Sequence, residues 1–309
     1  MKLEWGKLPP GRVGVFHSWG LGDLIMATPM LQSLARSGHQ VELILTSDYT
    51  PILKGAPFLE RVWVLKRKVE LLKFFRRFDY LVGTGGINPR KVKFLGTLLG
   101  VKKVFASSPI RNLHRIELNL RLASQLITEV VREPYLYIDQ SLEGVKGYFK
   151  GEGPFLGFAV GSGGKQKFKR WPYFRELIPQ LPGRKFIFIG PDEVELKREF
   201  QSVGEILQLG LGELPGFISR LNLLVGNDNG VMHIGYGVGV NTATIIGMTN
   251  HLETGGYRSN NWHIFLNLEC RPCFDPATNR LGCSNYRCLT DLPISKVREE
   301  CLKILKSQF

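Results

Sequence analysis

No stretch of this 309-residue chain approaches the ~18 consecutive apolar residues that would span a bilayer. The opening Met1-Lys2-Leu3-Glu4-Trp5-Gly6-Lys7 has no apolar core to act as a secretory signal, so a cytoplasmic location is expected. No two aspartates stand two positions apart, which removes the Asp-x-Asp element that clamps a diphosphate through a divalent metal. The GxxxxGK[ST] phosphate loop is also missing. Cysteine is scarce, five residues in all, yet four of them fall within residues 270–288. These absences argue against a membrane-spanning protein and a P-loop nucleotidase. Length and a 43% hydrophobic share suit two ordinary globular domains of ~150 residues each.

Charge is plentiful and uneven. Residues 1–150 hold 23 of the 41 Lys and Arg against 12 of the 27 Asp and Glu, a balance of +11, and the remainder carries only +3. The first half is therefore expected to meet something anionic: phosphate-bearing lipid, acidic sugar or nucleic acid. No RNA-binding signature or DNA-reading helix accompanies the charge, so a nucleic-acid-binding protein is the least favoured reading.

Apolar runs at 13–17, 41–45, 62–65, 80–82 and 104–105 read as strands, with a helical pattern on Leu24, Met30, Leu31 and Leu34 that Gly38 would stop. The Gly-rich stretch 144–154 reads as a linker. The pattern then restarts, with strands at 155–160, 185–189, 223–225 and 242–246 and a helix over 172–181. The spacing predicts an α/β protein of two Rossmann-like doubly wound parallel-sheet domains. These are 1–150 and 151–292, with a central cleft where the strand ends meet. An amphipathic C-terminal helix over 293–309 is expected to pack back towards the first domain.

Three loops carry candidate chemistry. Gly161-Ser162-Gly163-Gly164 follows the first strand of the second domain, where small residues let backbone amides approach a phosphate. Lys165, Lys167, Lys169 and Arg170 then supply cations before Trp171-Pro172 opens a helix. Asn227-Asp228-Asn229-Gly230, with His233 one turn on, follows another strand; it reads as a helix cap, which does not exclude contact with sugar hydroxyls. Asp23, after Gly20-Leu21-Gly22, reads on its own as a helix cap, and in a closed cleft as a base for a hydroxyl proton. With no metal clamp, a leaving diphosphate would be stabilised by amides and lysines.

Cys270-x2-Cys273-x9-Cys283-x4-Cys288 leaves three readings open: structural zinc, reduced thiols packing a loop, or disulfides. Two basic–apolar stretches, 66–78 and 90–94 continuing to Lys102-Lys103, suit the surface of an anionic membrane or a solvated helix whose apolar residues face the sheet.

Taken together, these pieces resemble glycosyltransferase family 9, the heptosyltransferases of the lipopolysaccharide inner core. The likeness rests on Gly20-Leu21-Gly22-Asp23 followed by Thr28-Pro29 and Leu31, on Lys169-Arg170-Trp171-Pro172, and on Asn227-Asp228-Asn229-Gly230-x-Met232-His233. The closing Cys270-x-Pro272-Cys273…Cys283…Cys288-Leu289 is similar to a pattern in some members.

The resemblance implies a GT-B fold and an inverting, metal-independent transfer of heptose from ADP-heptose, with no cofactor required for catalysis. Asp23 becomes the general base. Ser162, Gly163 and Lys169 would hold the diphosphate, Glu193 or Glu195 the adenosine ribose, and Asp228, Asn229, Gly230 and His233 the donor sugar and phosphate. The basic first half becomes the acceptor domain, with His17, Lys66, Arg67, Arg111 and Arg115 reading an anionic lipid-linked sugar. That acceptor would place the enzyme peripherally at the inner membrane.

The chain departs from the family at His17, where an arginine is usual, at Gly83-Thr84-Gly85-Gly86, and in a phosphate loop richer in glycine than in threonine. Another nucleotide-sugar or acceptor on the same fold, or a nucleotide-sugar epimerase, is the alternative reading.

Overall fold

The computed structural model describes residues 4–139, 145–275 and 280–307, with the side chains of residues 164, 165 and 280 outside that description. Gly144 of the expected linker and the Lys165 side chain, one of the expected loop cations, therefore lie outside the described residues. The chain forms two compact units, residues 1–137 with 252–254, and 138–251 with 255–309.

The first unit is a five-stranded parallel sheet in the order β3-β2-β1-β4-β5. Its strands are β1 (Arg12–His17), β2 (Gln40–Leu45), β3 (Arg61–Val64), β4 (Tyr80–Gly83) and β5 (Lys103–Phe105). The central strands are near-continuous apolar runs because both faces of a parallel sheet are covered; every residue of β4 is buried. The helix expected across Leu24–Leu34 is broken into α1 (Leu21–Ile25) and α2 (Thr28–Arg36). Pro29 has no N–H to continue the ladder, and the Thr28 hydroxyl donates to the Ile25 carbonyl instead, at 2.7 Å. Two further helices of the unit are α3 (Pro89–Leu98) and α4 (Arg115–Leu122).

The second unit holds six parallel strands in the order β11-β10-β9-β6-β7-β8. They are β6 (Phe155–Ala159), β7 (Arg184–Phe188), β8 (Glu205–Leu207), β9 (Leu223–Asn227), β10 (Thr242–Ile245) and β11 (Asn261–Ile264). Counted within each unit, both sheets follow the doubly wound 3-2-1-4-5 order, the second adding a sixth strand. β8 and β11, absent from the sequence reading, are the two edge strands, short and only partly buried, so their hydrophobic signal is weak.

Two boundaries differ from expectation. The units divide at residue 137 rather than 150, and the glycine-rich segment read as a linker is attached to the second unit. Its Phe149 packs on Phe217 at a ring separation of 4.7 Å, and Tyr148 packs on the same ring at 5.4 Å. Two aromatics anchor what the glycines alone would leave loose. The C-terminal helix (Ile294–Lys306) exists as read and belongs to the second unit. Val297, Cys301, Ile304 and Leu305 are buried in one core with Trp171, Phe174 and Leu289 of the second unit.

Candidate functional site

In a doubly wound sheet, ligands bind outside the carboxyl ends of the strands, where the winding reverses. That point lies between β1 and β4 in the first unit and between β6 and β9 in the second. The candidate residues cluster at these two places.

In the first unit, β1 ends at His17 and runs through Gly20 into the first turn of α1, which carries Asp23. The Asp23 carboxylate lies 3.5 Å from Nε of Arg115, the first residue of α4. Arg115 is only 3% exposed, and its Nε and Nη1 have no hydrogen-bond partner among the described residues, so the ion pair is close but not aligned as a hydrogen bond. Gly86, in the loop after β4, has φ +99°, and a Cβ there would stand 2.6 Å from Arg115 Nη1; only glycine leaves the guanidinium its space. Asn119 locks the loops together, accepting from the Gly85 amide at 2.6 Å and donating to the Met26 carbonyl at 3.1 Å.

His17 differs from expectation. It is 1% exposed, hydrogen-bonded to the Thr84 hydroxyl at 2.9 Å, with its other ring nitrogen 3.3 Å from the Gly20 carbonyl. Burial outweighs its backbone contacts and pulls its pKa down to about 4. A neutral, enclosed ring ties the loop after β1 to the loop after β4 and offers an anionic acceptor no positive charge. Of the other acceptor candidates, Arg115 sits beside Asp23, whereas Lys66, Arg67 and Arg111 are exposed, with Arg67 4.0 Å from Glu70.

In the second unit, Lys169 is largely enclosed, its Nζ 3.7 Å from Asp228 and 5.2 Å from the centre of the Phe274 ring. Asp228 follows β9 and has His233 Nε2 at 4.0 Å. Burial alone would raise its carboxyl pKa. Lys169, His233 and a hydrogen bond from Thr249 outweigh burial and hold it below the usual aspartate value. The site thus keeps a largely enclosed cation beside a buried anion and histidine.

Neighbouring residues aim this group. Trp171 is buried, its indole donating to the Leu292 carbonyl and its backbone N–H to Asn227 Oδ1 at 2.8 Å. Asn227 also donates to the Val160 carbonyl at 2.7 Å, joining the ends of β6 and β9. Asn229 caps the helix Gly230–Val238 by accepting from the Val231 and Met232 amides, and it donates to the Gly161 carbonyl at 2.7 Å. Its amide is fully engaged in structure, so the cap is its role in this fold. Gly230 begins that helix directly after it.

Glu193 also differs from its expected place at a ribose. It is 4% exposed, and one carboxylate oxygen accepts from the Ser162 amide at 2.8 Å, the Gly163 amide at 3.1 Å and Arg170 at 2.8 Å. The two loop amides expected to face a diphosphate therefore hold a carboxylate of the chain itself, and a Cβ at Gly161 would collide with it. The Ser162 hydroxyl stays buried with no partner among the described residues. Glu195 is half exposed and pairs with Lys167 at 2.9 Å and Arg170 at 3.3 Å. Its pKa falls to about 2, chiefly through the Lys167 hydrogen bond.

The four clustered thiols are all free, with Cys270 exposed and Cys288 buried. Burial, with Cys283 next, raises the Cys273 thiol to about 11. Among the described residues no group of three His, Cys, Asp or Glu is placed to hold a metal ion.

The sequence pattern of glycosyltransferase family 9 (heptosyltransferase) matches residues 99–283. The chain belongs to this family. Lipooligosaccharide heptosyltransferase 2 of Campylobacter jejuni is 30% identical over 91 residues, a match spanning 29% of this chain and 28% of that protein. The family 9 chain also shares its fold with Escherichia coli ADP-heptose lps heptosyltransferase II, at a TM-score of 0.76 and 16% identity over 96% of this chain and 99% of that one. E. coli heptosyltransferase WaaC, solved with ADP-2-deoxy-2-fluoro heptose, superposes at a TM-score of 0.66 and 16% identity, over 94% and 99% of the two chains. The fold class is GT-B, built from two Rossmann-like units as the sequence implied.

Proposed function

We propose that this family 9 protein transfers heptose from ADP-heptose to an anionic, lipid-linked acceptor of the lipopolysaccharide inner core, by an inverting, metal-independent displacement. The observation that carries the reading is the pair of charged groups at the two switch points, Asp23 with Arg115 and Lys169 with Asp228. In the reaction, Asp23 takes the proton of the acceptor hydroxyl as that oxygen forms its bond to the anomeric carbon. The bond from that carbon to the diphosphate breaks with inversion, and the electron pair leaves on ADP. Lys169 stabilises the charge developing on the diphosphate, and His233 and the start of the helix at Gly230 lie beside it. Arg115 sits against the Asp23 carboxylate and has guanidinium donors left over for an acidic group of the acceptor. Glu193, by clasping the Ser162 and Gly163 amides, fixes the loop that presents Lys169.

The test is thermal stabilisation by a nucleotide panel, followed by a transfer assay. ADP should stabilise the protein more than UDP, GDP or CMP, and ADP-heptose should be consumed only with an acceptor present. A preference for UDP sinks the heptose reading. Turnover should also survive EDTA. Elemental analysis of purified protein then decides the thiol cluster, where retained zinc would overturn the reduced-thiol geometry described above.

A further inference from the structure

The first unit carries an outer face that the transfer chemistry does not use. Among the described residues ten large hydrophobic side chains are exposed, and five of them lie between Val69 and Leu98: Val69, Leu72, Phe75, Phe94 and Leu98, at 45–71% exposure. Residues 66–103 also contain eleven Lys and Arg against two acids, Glu70 and Asp79, a balance of +9 out of the chain's +14. Two segments make this face. On α3, Arg90, Lys91, Lys93, Phe94, Thr97 and Leu98 are all exposed, a spacing that puts them on one side of the helix. Val92 and Leu95 are buried on the other. In the 66–76 segment, Phe74 points into the core while Leu72, Lys73, Phe75 and Arg76 remain outside.

The two segments are neighbours. Phe74, Phe78, Val92, Leu95 and Leu99 share one buried cluster. The Arg76 amide donates to the Leu99 carbonyl at 2.8 Å, and the Phe75 ring lies against Gly100. Lys68, Lys73, Arg76, Lys91 and Lys93 form no ion pair among the described residues, so their charge is uncompensated by the protein. A merely solvated helix accounts for the cations but not for a Phe that is 71% exposed among them.

We infer that this face docks the first unit on an anionic bilayer surface, with Phe75 and Phe94 entering the headgroup boundary and the surrounding cations meeting lipid phosphates. The inference rests on the reading of the acceptor as lipid-linked, since such a substrate is presented only at a membrane. Charge complementarity favours a bilayer over a second copy of the chain, whose matching face carries the same cations, among them Lys73, Arg76, Lys91 and Lys93, and would repel this one.

The test is co-sedimentation of the full chain with vesicles of phosphatidylcholine alone and with phosphatidylglycerol added. Binding is expected only to the anionic vesicles, weakening as salt rises. Phe75→Ser and Phe94→Ser should each lower partitioning about tenfold, and Lys91→Glu with Lys93→Glu by at least that much together. All four positions are exposed, so melting temperature and ADP stabilisation should match the parent. No binding, equal binding to neutral vesicles, or undiminished binding by these variants overturns the inference. So does light scattering that shows a dimer dissolved by Phe94→Ser, which would make a second copy the occupant. Vesicle binding without any ADP response would sink the transferase reading and leave the docking face standing.

Discussion

The two units answer the same topology with opposite chemistry. At its switch point the first unit holds a carboxylate, Asp23, against a buried guanidinium that still has donors without partners. The second holds a lysine against a buried carboxylate, and its loop amides and asparagines are already satisfied from within. An unsatisfied buried donor is costly unless a ligand answers it; Arg115 Nε and Nη1 are such donors in the first unit, and the Ser162 hydroxyl and Arg170 Nε in the second. The second unit differs in that a lysine, not a guanidinium, faces its carboxylate, with Nζ 3.7 Å from Asp228. Parallel-sheet winding says where a ligand goes; the side chains at the turn say what kind.

The largest expected effect breaks the first half of that comparison. Asp23→Asn keeps the size of the side chain and removes its basicity. Turnover should fall about a thousandfold or more, while ADP still raises the melting temperature as in the parent. Transfer at the parental rate would remove Asp23 as the base.

Lys169→Ala attacks the second half. Loss of this cation leaves Asp228 without its main partner, and turnover should fall by about a hundredfold with weaker ADP binding. Isothermal titration that finds parental ADP affinity would dissociate Lys169 from the diphosphate.

Arg115→Met sharpens the contrast, because it removes the open donors and keeps most of the volume. The acceptor KM should rise about tenfold or more, with donor KM nearly unchanged. A change confined to the donor would place Arg115 on the wrong substrate.

The smallest effect concerns stability. His17 has a folded-state pKa of about 4 against an ordinary 6.5, so the unfolded chain takes up its proton first as pH falls. Its contribution is complete above pH 6.5 and is lost between 6.5 and about 4, amounting to roughly 3 kcal/mol. Urea unfolding of the first unit should show that loss in the parent, and His17→Gln should flatten it across the same window.

Much of this was legible in the residues. Strand–loop–helix repeats and glycine turns could be read because they depend on local periodicity and short spacing. The edge strands β8 and β11 could not, being short and half-covered. Asn227 reads as one more cap, since its partners Trp171 and Val160 are 56 and 67 residues away. Arg170 reads as one more loop cation for the same reason; its ion pair with Glu193 spans 23 residues.

By itself, then, the sequence determined two doubly wound units, the glycine loops that follow their strands, and the concentration of positive charge in the first half, all local or compositional properties. Tertiary structure decided the direction of each charge. It enclosed His17 and made it neutral, turned Glu193 from a ligand candidate into the clasp of its own loop, and seated the C-terminal helix in the second core. It also separated Phe74, which is buried, from Phe75, which is not. Burial and long-range hydrogen bonds set those outcomes, and neither is a property of neighbouring residues along the chain.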